Sequence, residues 1–312
     1  MAALICGSLA YDSIMVFEDH FKNHILPEKV HMISVSFLVP QMRRDFGGCA
    51  GNIAYNLKLL GGEPVPMAAV GKDFGAYRDH LDALGIPRDH VLEREDHFTA
   101  QAFITTDLDD NQITAFHPGA MSVSHLNKVK EANDITIGIV APDGRDAMMQ
   151  HAADFNGASI PFFFDPGQAM PLFDGQDLRR FIDQATWVTV NDYEMELVKE
   201  RIGWSEAEIA EQVEALIITR GAEGSDIMTG GETIKIESAP VSNIANPTGC
   251  GDAYRAGLLY GLEKGYDWQT TGRIASLMGA IKVETESPQG HQFTMEEFGE
   301  RFEKSFGAKL PA

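Results

Sequence analysis

Gly249, Cys250, Gly251 and Asp252 are consecutive, within the run Asn246-Pro247-Thr248-Gly249-Cys250-Gly251-Asp252-Ala253-Tyr254-Arg255-Ala256-Gly257, and the residues after Asp252 read as a helix to about Leu262. Two glycines this close let the backbone turn so that successive N–H groups at a helix start point at one anion, and the positive end of the helix dipole adds to the attraction. A carboxylate beside a phosphate is repulsive unless it has a task. The task that fits Asp252 is to accept the proton of a hydroxyl as that hydroxyl attacks phosphorus, with the Gly249, Cys250 and Gly251 amides stabilising charge on the transferring group. The plainer alternative is that Thr248 or Asp252 merely caps a helix after a glycine turn.

The run resembles the D-T-x-G-A-G-D signature of the ribokinase-like (PfkB) family of carbohydrate and nucleoside kinases. Gly249, Gly251 and Asp252 are in register, while Asn246, Pro247 and Cys250 replace the first Asp, the Thr and the Ala. Four more regions match in the family's order. Gly7-Ser8-Leu9-Ala10-Tyr11-Asp12 resembles G-x-x-x-x-D, whose Asp clamps a sugar diol. Gly47-Gly48-Cys49-Ala50-Gly51-Asn52 resembles G-G-x-x-x-N, with Gly48 and Asn52 against the sugar. Asn191-Asp192-Tyr193-Glu194 fits N-x-x-E, associated with phosphate and magnesium, and Thr219, Gly221 and Gly224 match the nucleotide loop T-x-G-x-x-G. The resemblance implies ATP as phosphate donor, Mg²⁺ with Glu194 near it, a monovalent cation such as K⁺ beside the cradle, and an adenine bordered by the loop at Gly290. Read without it, Asp12 after Gly and Ser also suits an Asx turn, and Asn191 with Glu194 equally suits a helix cap.

These residues need a frame that brings them together. The apolar stretch Leu4–Cys6 ends at Ser8 and Asp12, Ile160–Phe164 ends at Asp165-Pro166-Gly167-Gln168, Trp187–Val190 ends at Asn191, and Ala215–Ile218 ends at Thr219. Polar residues at the carboxyl ends of successive strands are the ligand edge of an open parallel sheet. With helices expected from about Ala76 to Leu84, through Met148, over Trp268–Thr285 and over Thr294–Phe306, the pattern is α/β, doubly wound and mainly parallel. Residues 32–39 alternate, with Ile33, Val35, Phe37 and Val39 on one face, and read as a strand with a polar side. Thr99–Thr106 and Ile113–Phe116 read as a hairpin. We expect one ribokinase-like domain over residues 1–312, with a small β-sheet lid from about 13–46 and 97–118; the resemblance implies a lid that closes over the sugar and excludes water. An ordinary hairpin satisfies the same pattern.

Composition narrows the function. The 312 residues carry a formal charge of −21, which argues against nucleic acid or an anionic membrane as partner, since both demand clustered Lys and Arg. No apolar run approaches a membrane span, the N-terminus lacks a signal-peptide pattern, and a cytoplasmic location is expected. Cys6, Cys49 and Cys250 are isolated; Cys250 is either a reactive thiol at a helix start or simply a small residue. His20 and His24 lack a third metal ligand and are expected to be solvated.

Within the family, Ser34–Val39, Gln112–Met121 and Asn191–Glu194 most resemble bacterial adenosine kinases, which implies adenosine to AMP, a purine-salvage step. Phe116 offers a face for a purine and Ser36 a bond to a ring nitrogen, with Ser8 and Gln168 beside the sugar; a core role for Phe116 fits the sequence as well. A ribokinase-like or fructokinase-like sugar kinase, another nucleoside kinase, and a catalytically silent nucleoside-binding sensor are the competing readings. The lid strands suggest a homodimer.

Overall fold

Strands covered by helices on both faces have no solvent side, so they appear as short continuous apolar runs. A computed structural model describes residues 2–25, 31–32, 34–109 and 111–311. At its centre β1 (Ala2–Cys6) runs parallel between β4 (Glu63–Gly71) and β8 (Ile135–Val140). On the β4 side lies β5 (Val91–Arg94), and on the β8 side lie β9 (Phe162–Phe164), β10 (Trp187–Asn191) and β11 (Ala215–Thr219), all parallel. The antiparallel hairpin β12 (Ser225–Thr229) and β13 (Glu232–Ile236) closes that edge, giving nine strands in the order β13-β12-β11-β10-β9-β8-β1-β4-β5. Strand order reverses at β1, and a crevice opens at such a switch point.

The two-residue period sorts the core. Ala3, Ile5, Ile139, Phe163 and Ile217 enter one apolar cluster, under α1 (Cys49–Leu59), α2 (Gly75–Leu84), α7 (Cys250–Glu263), α8 (Trp268–Val283) and α9 (Met295–Phe306). Leu4, Cys6, Val140, Phe164 and Ile218 enter the other, under α3 (Arg145–Ala158), α4 (Gly175–Gln184), α5 (Asp192–Ile202) and α6 (Glu206–Ala210). The sheet is thus wound on both faces, as its sequence pattern predicts. Among the described residues no helix is long and apolar enough to cross a membrane.

The second sheet is the lid: β2 (Ala10–Val16), β3 (Gln41–Gly47), β6 (Ala100–Thr106) and β7 (Gln112–His117), in the order β3-β2-β6-β7. Three expectations need correction. The strand read over 32–39 is absent: Ser34–Pro40 carries no ladder, and Ile33, like Asp110 of the hairpin turn, lies outside the described residues. Its alternation nonetheless governs exposure. Val35, Phe37 and Val39 are half-buried while Ser34, Ser36 and Leu38 are exposed, and the Phe37 ring packs on Phe17 and Phe21 at 4.8 and 5.0 Å. The ladder forms instead on Gln41–Gly47, whose Gln-Met-Arg-Arg-Asp lacks apolar alternation because most of that strand is exposed. Asp12, expected in a loop, is on β2 and pairs across to Asp45 and Ala102. His20 and His24 are also not simply solvated; their rings meet Asp109 and Asp19 at 3.0 and 2.8 Å.

α7 and α8 approach each other through glycine: a Cβ on Gly257 would stand 2.5 Å from Ala275 Cα, and one on Gly261 2.5 Å from Thr271 Oγ1. Since the clash at 257 is with backbone, the helices themselves must move apart to relieve it. Gly257→Val is expected to lower unfolding free energy by about 1–3 kcal/mol through overpacking, read as a depressed midpoint in chemical denaturation; a midpoint equal to that of the unmodified chain would refute close helix contact.

Candidate active site

Gly249 is the N-cap of α7 and holds φ +84°, which a side chain would strain. The turn before it is built by Asn246, whose Oδ1 accepts the Thr248 amide at 2.9 Å. The amides then divide. Cys250 N–H donates to the Pro247 carbonyl at 3.1 Å, whereas Gly249, Gly251 and Asp252 N–H have no acceptor among the described residues. The three-amide cradle read from the sequence is corrected accordingly: Cys250 closes the turn, and Gly249, Gly251 and Asp252 offer the free donors. Burial pushes the Cys250 thiol up to about 11 despite the pull of Lys282, so the helix start does not activate it.

Asp252 enters the first turn of α7 facing α1. There Gly48 adopts φ +83° as N-cap, and a Cβ would meet the Ser8 carbonyl at 2.5 Å and the Ala10 amide at 2.6 Å. Ser8, expected against the sugar, caps this helix: its Oγ accepts the Cys49 amide at 3.2 Å, and its carbonyl the Ala50 amide at 3.0 Å. The first turn of α1 thereby places Asn52, whose Nδ2 donates to Asp252 Oδ2 at 2.8 Å. Gln289 Nε2 fixes the amide's orientation by donating to Asn52 Oδ1 at 3.0 Å, and reaches the Tyr77 hydroxyl at 2.8 Å. Tyr77 in turn donates to the Gly47 carbonyl, and the His80 ring meets Gln289 Oε1 at 2.9 Å. Burial raises the Asp252 carboxyl to about 6, against the Asn52 hydrogen bond, which favours the ionised form; nearby Asp165 raises it further and Arg255 lowers it.

Asp12 reaches the same neighbourhood from the lid: a Cβ on Gly47 would be 2.5 Å from Asp12 Oδ2. Burial and the adjacent Asp45 raise its carboxyl to about 6. Strand register continues this row, Asp45–Asp12–Ala102–Phe116, across one face of the lid. Phe116 is 52% exposed and so is no core aromatic. Ser36 is exposed in the 34–40 segment and takes no part in the network around Asp252.

At the carboxyl ends of β9 to β11 the other candidates meet. Arg255, one turn beyond Gly251, clasps Asp165 at 2.8 and 3.0 Å and donates to the Gly251 carbonyl at 3.2 Å, with both ion partners buried. Asn191 and Glu194 form a capping box on α5: Asn191 Oδ1 accepts the Glu194 amide at 2.7 Å and Glu194 Oε2 the Asn191 amide at 2.8 Å. Burial and Asp165 raise the Glu194 carboxyl, and its Oε1 takes no hydrogen bond among the described residues. A polar cavity of about 450 Å³ gathers Gln168, Asn191, Glu194, Thr219, Gly221, Gly249, Gly251, Asp252 and Arg255. A second cavity, of about 290 Å³, is apolar. It is walled by Val241, Ile244, Tyr254, Ala280 and Val283, and shares Thr219, Gly221 and Gly251 with the first. Gly224 lines the apolar cavity, but Gly290 lines neither; it opens on a surface hollow with Ser242 and Arg301. Sequence reasoning gave no role to Arg255, Tyr77, His80 or Gln289, and noted Asp165 only as a polar strand end. For Arg255 a signal existed, since i+4 from Gly251 puts it on the face of the cradle; the others meet only through tertiary contacts.

An apolar slot joined through helix-start amides to a carboxylate-bearing pocket is the geometry of a nucleotide-dependent transfer to a hydroxyl. Comparisons agree. A nucleoside kinase of Methanocaldococcus jannaschii is 32% identical over 280 residues, covering 89% of this chain and 92% of that protein. The structure of Burkholderia thailandensis nucleoside kinase in complex with inosine superposes with a TM-score of 0.91 at 53% identity, over 99% of this chain and 100% of that one. Its complex with ADP and inosine gives 0.88 at 55%, over 99% and 98%. The pfkB family carbohydrate kinase model matches residues 11–293, and the chain belongs to that family, as a ribokinase-like phosphotransferase acting on a hydroxyl group.

Proposed function

We propose that this kinase transfers the γ-phosphoryl group of ATP to the 5′-hydroxyl of a purine nucleoside, returning it to the nucleotide pool. The observation that carries the reading is Asp252, desolvated and held by Asn52, lining the polar cavity one residue from Gly251, which the polar and apolar cavities share. The Burkholderia enzyme, crystallised with inosine and with ADP and inosine, supports it. Adenosine is the acceptor expected from the sequence, and inosine now stands beside it. A free sugar wants hydrogen bonds around its whole edge, whereas the lid row that begins at Asp12 ends two strands away in the exposed ring of Phe116. At about 4.8 Å per strand that is roughly 10 Å, a span that suits a ribose at one end and a base at the other.

In this mechanism Asp12 and Asn52 hold the ribose hydroxyls, Gln168 lines the polar cavity, and Asp252 accepts the 5′-hydroxyl proton as that oxygen attacks. The Gly249 and Gly251 amides take the developing charge, and Thr219, Gly221 and Gly224 border the nucleotide. Glu194, a half-buried carboxylate with one unbonded oxygen lining the polar cavity, fits a hydrated Mg²⁺, which when bound would neutralise charge on the ATP oxygens. Every residue of β7 is exposed, so an unprotected sheet edge favours a homodimer through the lid. An ATP-dependent enzyme is at home in the cytoplasm.

A coupled ADP-release assay comparing adenosine, inosine, guanosine, ribose and fructose tests the acceptor. Turnover with the purine nucleosides and little with free sugars is expected; sugar preference would make Phe116 irrelevant to substrate. Asp252→Asn is expected to lower kcat by about 10²–10⁴-fold with nucleoside affinity near normal, the range for loss of a general base. Wild-type turnover in that variant would remove Asp252 from the role.

The acid limb follows from the carboxyl at about 6. Protonated Asp252 cannot accept a proton, so kcat/KM falls as pH drops through that value. Asn52→Leu removes a bond to the ionised form, raising the midpoint and moving the limb to higher pH; an unmoved limb would show that another group titrates. For Phe116→Ala, KM for the nucleoside should rise about 5–150-fold with kcat little changed, from stacking worth about 1–3 kcal/mol. An unchanged KM would show that the base does not rest on the lid.

A further inference from the structure

Among the described residues Lys282 is the one lysine with no exposed surface. It sits in the last turn of α8, where a lysine ordinarily reaches solvent while attracted by the helix's negative end. Here the ammonium turns inward. Nζ donates to the Asn246 carbonyl at 2.8 Å and to the Thr285 carbonyl at 2.9 Å. Asn246 opens the cradle segment and Thr285 follows α8, so one cation ties together two chain segments that flank the anion site. The Ala245 and Asn246 amides reinforce the tie by donating to the Val283 carbonyl at 2.8 and 3.2 Å, and Asn246 Nδ2 donates to the Glu286 carbonyl at 3.0 Å. No carboxylate forms an ion pair with Lys282 among the described residues; its acceptors are backbone oxygens, the ligands that a potassium ion also takes.

This arrangement conflicts with the monovalent cation expected beside the cradle. Carbonyls already committed to an ammonium cannot also coordinate K⁺ without displacing it, and two adjacent cations would repel. We propose that Lys282 is a built-in cation that holds the Asn246 and Thr285 carbonyls in place of an alkali ion, so that the cradle is ordered and the kinase works without alkali-metal activation. Lys282 is a positioning residue: it touches the segment that carries Gly249, not the reacting atoms. Burial lowers its own proton affinity, and the thiol of Cys250 and the carboxylates of Glu286 and Asp45 oppose that effect.

Two measurements on the full-length protein test this. Turnover with Mg-ATP is compared in tetramethylammonium, Na⁺, K⁺ and Cs⁺ chlorides at equal ionic strength, and ADP affinity is measured calorimetrically in K⁺ and in tetramethylammonium. Wild type should vary by less than about threefold in both, a difference within one RT of free energy or little more. Lys282→Met leaves the carbonyls without a cation, and its kcat in tetramethylammonium should fall about tenfold or more and recover in part with K⁺. Wild-type activation by K⁺ beyond about threefold, an unchanged Lys282→Met, or a loss that no alkali ion restores would each overturn the proposal. Should Lys282→Met not fold, the wild-type series decides alone. The ADP titration needs no acceptor, so an error in the proposed nucleoside leaves its outcome unaffected.

Discussion

One guanidinium organises the catalytic edge. Arg255 is buried among Asp165, Asp252 and Glu194, with its direct ion pair to Asp165. Taking a charge out of water is costly unless it is paired and hydrogen-bonded, and removing one partner of such a pair typically costs about 3–5 kcal/mol. The pair therefore fixes the end of β9 to the first turn of α7, and through the Gly251 carbonyl it also fixes the cradle. Three carboxylates around one cation leave the pocket short of positive charge. Desolvation then raises the carboxyls of Asp252 and Glu194.

The same shortage recurs on the other side of the cradle, where charge is supplied differently. Free amides of Gly249, Gly251 and Asp252 face the anion site, and behind them a buried ammonium holds the carbonyl side of the turn. Dipoles pointing one way at a helix start are stable only if the turn that aims them is rigid. Asn246 serves that need where the family motif has an Asp. Its side chain accepts the Thr248 amide and donates to the Glu286 carbonyl, which a carboxylate, having no donor, does not do.

Much of the fold was legible because buried strands and their polar ends announce themselves. The runs ending at Asp165, Asn191 and Thr219 are contiguous apolar segments, and the two-face sorting of Leu4 against Ile5 follows from period alone. The lid was harder to read. In Ser34–Val39 alternation reflects an extended segment packed on Phe17 and Phe21, while the true strand, Gln41–Gly47, is exposed and carries no apolar period. Exposed strands are held by backbone pairing, which side-chain pattern does not record. Capping also proved compatible with site geometry rather than a rival to it: Asn191 and Glu194 form the box and line the cavity at once.

What escaped the sequence is how residues far apart in the chain meet in the fold. Asn52 and Asp252 are 200 positions apart, Asn52 and Gln289 237. Neither separation has a local signature, yet together they make a relay from the loop after α8, through α1, to the first turn of α7. Because Gln289 also contacts Tyr77 and His80 on α2, and Tyr77 holds the Gly47 carbonyl at the hinge between lid strand and α1, the Asp252 carboxylate is oriented by the same network that anchors the lid. A lid movement that shifted Gly47 would reach Asp252 through the chain of hydrogen bonds from Tyr77 to Gln289 to Asn52, so in the proposed mechanism closing over the acceptor is coupled to the orientation of Asp252.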